Sequence, residues 1–228
     1  GHVTGGKGTY DNIGASDVGK KIGGGVHVAK GGTLDMKGGI ISCNTAEWGG
    51  GIGSNGTVTM SGGQISNNTA SLGGGVFSSN QFTMENGEIS KNTTSWDGGG
   101  VYNSGDFIME DGKINGNTTV GDNSDGGGMY MSGYWNINGN DKQASFTMNG
   151  GEVADNVSGT GGGALAGGEG CTFTMNGGSI VRNRAEKNEN GVRKDGTSVS
   201  INYDNVIICT YGKDGVETRH EFDGGKAT

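Results

Sequence analysis

The sequence predicts an all-β fold, a right-handed single-stranded parallel β-helix with three short strands per coil, about six full coils and a cap at each end. Three observations predict it. Gly triplets begin at 23, 49, 73, 98, 126 and 161, so a unit of about 25 residues recurs. A Met column and an Asn column return once in every unit. No unit carries an apolar period of 3.6 over even two turns, which argues against helices.

Each unit supplies the same parts in the same order. The first strand follows the Gly triplet, and its inward column reads Val26, Ile52, Val76, Val101, Met129 and Ala164. The second strand ends on Met36, Met60, Met84, Met109, Met148 or Met175. Two residues earlier stands Leu34, Val58, Phe82, Phe107, Phe146 or Phe173, so both side chains share one face of a strand. Five residues after Met comes the third-strand position: Ile41, Ile65, Ile89, Ile114, Val153 or Ile180. One unit cannot bury these side chains alone. Stacking the units in parallel sets each strand against its equivalent about 4.8 Å away and joins the apolar columns into one core.

The Asn column is Asn44, Asn68, Asn92, Asn117, Asn156 and Asn183, always three residues after the third-strand apolar position. An amide donates on one side and accepts on the other, so a stack of inward amides satisfies itself and the turn backbone. On this reading the sequons at Asn92 and Asn117 are buried and carry no glycan.

The ends and two interruptions depart from the repeat. Residues 1–22 read as an N-terminal cap or partial coil, 23–196 as the coils, and 197–228 as capping strands with a hairpin around GKDG. Within the coils, 184–196 reads as a polar loop. Gly1-His2 resembles the scar of a cleaved tag, which suggests a segment of a longer chain. Residues 118–125 lengthen one loop by about three, and 132–145 insert about eleven into the next coil.

Composition narrows the function classes. There are 53 Gly but no Pro and no Gly-X-Y period, so collagen is excluded. A net charge of −8, without a basic run, argues against nucleic-acid binding. No stretch reaches the roughly 20 apolar residues of a membrane span. The three cysteines, Cys43, Cys171 and Cys209, match no zinc spacing and read as small core or turn residues, with a Cys171–Cys209 disulfide as the other option.

The candidate binding residues are aromatic. The residue after the first inward apolar one is expected to face out: His27, Gly53, Phe77, Tyr102, Tyr130 and Leu165. Trp48, Leu72 and Trp96 lie beside the Gly triplets at the same corner, and Tyr134 and Trp135 stand in the insertion. An exposed row of such rings suits a sugar or a protein partner. In the alternative, the Trp side chains fold over the corner and cover the core. Asp122, Asn123 and Asp125 offer hard oxygens for calcium, with Asp141 as an added ligand, although the spacing is not that of an EF-hand. No other cofactor is expected. The outward acids Asp35, Glu85 and Glu110 have no basic column beside them, so neither a hydrolase pair nor a lyase base is evident. An outward Thr column (Thr59, Thr83, Thr147, Thr174) is broken by Asp35 and Ile108, with no second Thr column alongside.

GGG-apolar followed by I-x-x-N resembles the GGA(I/L/V) and F-x-x-N repeats of chlamydial polymorphic outer-membrane adhesins. It is also similar to repeats of adhesin-like surface proteins from gut bacteria and methanogens. The likeness covers about 23–186, with Gly in place of Ala and Ile in place of Phe. The resemblance implies a secreted or cell-surface bacterial binding module whose ligand is a glycan or a surface protein. A carbohydrate-active enzyme (polysaccharide lyase or glycoside hydrolase) and a structural spacer of a larger surface protein are the alternatives.

Overall fold

In a computed structural model the chain is a parallel β-helix. The structure describes residues 1–11, 20–132, 143–168, 171–185, 198–201, 206–211, 217–223 and 226–227. Among them there is no helix. The first sheet stacks Val26–Val28, Ile52–Ser54, Val76–Ser78, Val101–Asn103, Met129–Met131 and Leu165–Gly167. The second stacks Thr33–Met36, Thr57–Met60, Gln81–Met84, Asp106–Met109, Ser145–Met148 and Thr172–Met175. The third runs from Ile40–Ser42 through Gln64–Ser66, Glu88–Ser90, Lys113–Asn115 and Glu152–Ala154 to Ser179–Ala185. All these pairings are parallel, and like residues face like residues, as in Met60↔Met84↔Met109↔Met148. Past the third strand, four coils add a two-residue strand such as Thr69–Ala70 or Thr93–Thr94, a piece the pattern alone does not reveal.

The core is the stack of inward columns. Ile52, Val58, Met60 and Ile65 of one coil are fully buried, and so are their equivalents Val76, Phe82, Met84 and Ile89 in the next. Phe82 and Phe107 stack at 4.9 Å, and Phe146 and Phe173 at 5.1 Å. The methionines also close the turn after the second strand. Gly63, Gly87, Gly112, Gly151 and Gly178 hold φ between 83° and 108°, a left-handed region that suits glycine. A Cβ there would lie 2.5–2.8 Å from the Met Cε of the preceding coil. Each Met thus fills the space that the next coil's glycine leaves open.

The amides form one continuous ladder. Asn44, Asn68, Asn92, Asn117 and Asn156 each donate from Nδ2 to the Oδ1 of the next, at 2.8–3.0 Å. The same Oδ1 accepts the backbone N–H of the preceding Asn, as from Asn68 to Asn92 at 3.0 Å. The second Nδ2 proton goes back one coil, as from Asn92 to the Ile65 carbonyl at 3.0 Å. All six side chains are buried. The residue before each is forced to positive φ by the corner, and Cys43, Asn67, Lys91, Asp155 and Arg182 all sit at 54–57°.

The sixth coil corrects the expected register. Leu165, not Ala164, pairs with Met129, because Asp125 bridges to Gly161 and the triplet is displaced by one residue. Leu165 is therefore the inward residue, and Ala166 aligns with Tyr130. Ala164 takes the slot of the third glycine. In the earlier coils a Cβ at that slot would lie 2.6–2.9 Å from a carbonyl oxygen of the next coil. Leu165–Gly167 is the last strand of its sheet among the described residues, which relieves that crowding.

Both ends are partial coils. His2–Thr4 pairs with Ile40–Ser42, Val3 stands on Ile41, and the Gly6 N–H donates to the Asn44 Oδ1 at 2.9 Å. Thr9–Asp11 and Lys20–Ile22 follow as a small antiparallel pair. At the other end Ser198–Ile201 extends the second sheet and Val206–Tyr211 the third. Val206–Tyr211 then forms the expected antiparallel hairpin with Glu217–Asp223. Most of the 184–196 loop lies outside the described residues. Cys171 is a free, buried thiol rather than half of a disulfide with Cys209.

Two stability outcomes follow from these turns. Asn92→Ala removes the acceptor of the Asn68 N–H and of one Asn68 Nδ2 proton, and the side-chain donor to the Ile65 carbonyl. It lowers unfolding stability by about 3–5 kcal/mol, read from the urea midpoint. Lys91→Gly, at φ 54°, removes a left-handed strain and raises stability by about 1 kcal/mol in the same assay.

Candidate functional site at the aromatic corner

The corner between the last turn of one coil and its first strand holds a second, smaller core. Ile22, Trp48, Leu72, Phe77 and Tyr102 are buried together, with Tyr130 half-buried against them. The outward rings of the first strand do stack: Phe77 on Tyr102 at 5.5 Å, and Tyr102 on Tyr130 at 5.3 Å. They are covered rather than displayed. Trp48 lies on Phe77 with centroids 5.0 Å apart, and Ile22, Trp48 and Leu72 form the covering column. Gly53 shows how close that cover sits, since a Cβ there would collide with Ile22. The expectation of an exposed row at Trp48, Phe77 and Tyr102 is therefore overturned. Burying three large rings gains far more than leaving them in water, and the turn residues are near enough to cover them.

The cover changes character along the axis. After Ile22, Trp48 and Leu72, the same position is held by Asp97, Asp125 and Gly161. Asp97 Oδ1 accepts the backbone N–H of Asp125 at 2.8 Å. Below this acidic stretch lies Tyr102, whose hydroxyl hydrogen-bonds Ser132. Burial pushes the Tyr102 phenol well above its ordinary value, and the nearby Tyr130, Asp97 and Cys171 add to the shift. Burial raises the Cys171 thiol in the same direction.

Trp96 does not belong to the covering column. Asp97 occupies that position, and Trp96 precedes it, so its ring lies on the outer side and is 64% exposed. Among the aromatic side chains whose burial is described, it alone is exposed. Val120, in the lengthened loop of the next coil, is 64% exposed as well. The two are close in register: Thr94 pairs with Thr119, and the Val120 N–H donates to the Thr94 carbonyl at 2.8 Å. Tyr134 and Trp135 lie outside the described residues, and so does Asp141.

The lengthened loop is built on internal bonds. The Ser124 hydroxyl sits 2.6 Å from the Gly121 carbonyl and 2.8 Å from Thr119 Oγ1. The Gly159 N–H donates to Thr119 Oγ1 at 3.0 Å, and Thr160 Oγ1 donates to the Asp122 carbonyl at 2.7 Å. Asp122 and Asn123 are exposed, whereas Asp125 is buried in the corner, so the three expected calcium ligands do not share one side of the loop. Among the described residues no three His, Cys, Asp or Glu side chains are grouped to hold a metal ion. Val120 and Asp97 went unnoticed in the sequence. The lengthening at 118–125 was the signal for the first, and the one-residue offset of Trp96 hid the second.

The second sheet holds one further difference. Its strands begin Thr33, Thr57, Gln81, Asp106, Ser145 and Thr172, all in register, so a second column with three threonines does run beside the first.

Compared with family models, curated proteins and solved structures, the chain matches none.

The two tryptophans separate cleanly in stability. Trp48→Ala opens the second core and costs about 3–5 kcal/mol by urea denaturation, whereas Trp96→Ala stays within about 0.5 kcal/mol of the parent. The Tyr102 phenol is raised in the folded state, so its contribution is full below about pH 10 and is lost as pH climbs toward the folded value. Tyr102→Phe consequently shows a smaller fall of stability in alkaline titration than the parent chain.

Proposed function

We propose that this chain is a non-catalytic, adhesin-like binding module, displayed on a bacterial surface or secreted, that recognises a glycan through the edge formed by Trp96 and the loop at 120–123. The observation that carries the reading is the exposure of Trp96. Among the large rings whose burial is described, this indole alone is left in water, and tryptophan is enriched where binding energy concentrates. A flat indole offers the face of a sugar ring an apolar surface, and Val120 widens it. Asp122 and Asn123 are exposed in the same lengthened loop as Val120, and small-ligand sites need such polar groups for orientation.

The repeat supports the same reading from another side. GGG-apolar and I-x-x-N resemble the repeats of bacterial adhesins, and the sixth coil, Gly162-Gly163-Ala164-Leu165, carries the GGA(L) form itself. A rigid stack of coils holds a loop edge in fixed geometry, which is what recognition on a repeat scaffold requires.

A glycan array followed by titration calorimetry tests the reading. The parent chain binds at least one glycan class, and Trp96→Ala loses that binding while melting at the parent temperature. Equal binding by Trp96→Ala, or the release of cleaved sugar during incubation, overturns it.

A further inference from the structure

We infer that the turn at Asn86–Gly87 is a site of spontaneous modification, where the chain exchanges the Asn86 carboxamide for a carboxylate as it ages. Asn-Gly occurs at 55, 86, 115, 138, 149, 176 and 190. Such a pair can cyclise because glycine carries no side chain to shield its own nitrogen. The fold decides whether that nitrogen reaches the amide carbon. At Asn86 it does. The Gly87 N–H donates to the Asn86 Oδ1 at 2.7 Å. That oxygen is bonded to Cγ, so the carbon lies within about 4 Å of the nitrogen. Reacting atoms held at roughly 3–3.5 Å are already close to attack. Asn86 is exposed to water, and its Nδ2, the leaving nitrogen, makes no hydrogen bond among the described residues. The contact belongs to the turn. One coil on, the Gly112 N–H donates to the Asp111 Oδ1 at 2.8 Å.

Elsewhere the fold withholds one reactant or the other. Asn55 is buried, and the Gly56 N–H donates to the Ser54 Oγ at 3.2 Å. The Gly116 N–H is committed to the Ala154 carbonyl at 3.0 Å, and the Gly177 N–H to the Met148 carbonyl at 3.3 Å. The Asn149 carboxamide is held at both ends, donating to the Glu110 Oε2 at 3.0 Å and accepting from the Asn176 Nδ2 at 2.8 Å. Asn138 and Asn190 lie outside the described residues.

The chemistry needs only water and hydroxide. Hydroxide takes the Gly87 N–H proton, and the nitrogen forms a bond to the Asn86 Cγ. The Cγ–Nδ2 bond breaks, water supplies the proton and restores hydroxide, and ammonia departs from a five-membered succinimide. Water then opens the ring. Opening at Cγ gives Asp at 86, and opening at the main-chain carbonyl gives isoaspartate. One water enters and one ammonia leaves, with no oxidation or reduction. Asp sets a carboxylate at the position that Asp111 holds one coil on. Isoaspartate adds one carbon to the main chain between Met84 and Ile89, the buried residues that the turn spaces.

The test is peptide mass mapping of the whole chain aged in warm, mildly alkaline buffer, once folded and once in urea. In the folded chain the Asn86 peptide is expected to exchange NH for O about tenfold faster than those carrying Asn55, Asn115, Asn149 or Asn176. In urea that lead is expected to collapse. Asn86→Gly places there the residue that four other coils carry, at Gly38, Gly62, Gly150 and Gly177. It is expected to melt with the parent and to lose the early acidic form on ion exchange, while Asn86→Asp elutes with that form. A folded-state rate at Asn86 no higher than at the other four overturns the inference. So does a lead that persists unchanged in urea, which assigns it to the local sequence rather than to the turn.

Discussion

In this molecule the partner of a residue is the equivalent residue one coil away. That constraint follows from the parallel stack, and the rest of the structure depends on it. A coil of about 25 residues has no interior of its own. Its Met, Phe and Ile side chains find cover because the coil above and the coil below present the same side chains at the same height. The Asn ladder expresses the constraint in hydrogen bonds. Each inner amide donates to the next amide and accepts from the one before, so one substitution leaves polar groups stranded on two coils.

Much of the fold was legible for this reason. Columns of identical residues are the sequence image of coil stacking, and the Met, Ile and Asn columns gave the second strand, the third strand and the corner at the correct positions. The registers Phe82↔Phe107 and Met84↔Met109 follow directly from them. What the columns could not give was the end of the pattern. The sixth coil slips by one because Gly161 takes the covering position opposite Asp125, which moves the triplet's slots to Gly162, Gly163 and Ala164. A rule that counts from the first glycine of a run has no means of sensing which glycine fills the covering position.

The candidate site was legible only in part. Its aromatic column stacks where expected, yet exposure is not written in a strand's alternation. A residue that points out of the coil still meets whatever the adjoining turn lays over it, and Ile22, Trp48 and Leu72 lie over Phe77 and Tyr102. A single residue of offset then separates Trp96 from that cover. Asp97 takes the covering position, and the ring beside it goes to solvent. The difference between a core residue and a surface residue here is one place in the chain, beyond the reach of composition or period.

The fit between Met Cε and the next coil's glycine gives the stack a direction. Every coil offers a methyl group forward and a glycine backward, and so every joint has the same two halves. Such a scaffold is modular in a strict sense. A whole coil can be duplicated or removed in register and the new joint will match the old ones. Length is then free to vary between related chains in steps of one coil, while the loops that interrupt the period, and any ligand they hold, ride unchanged on a longer or shorter column.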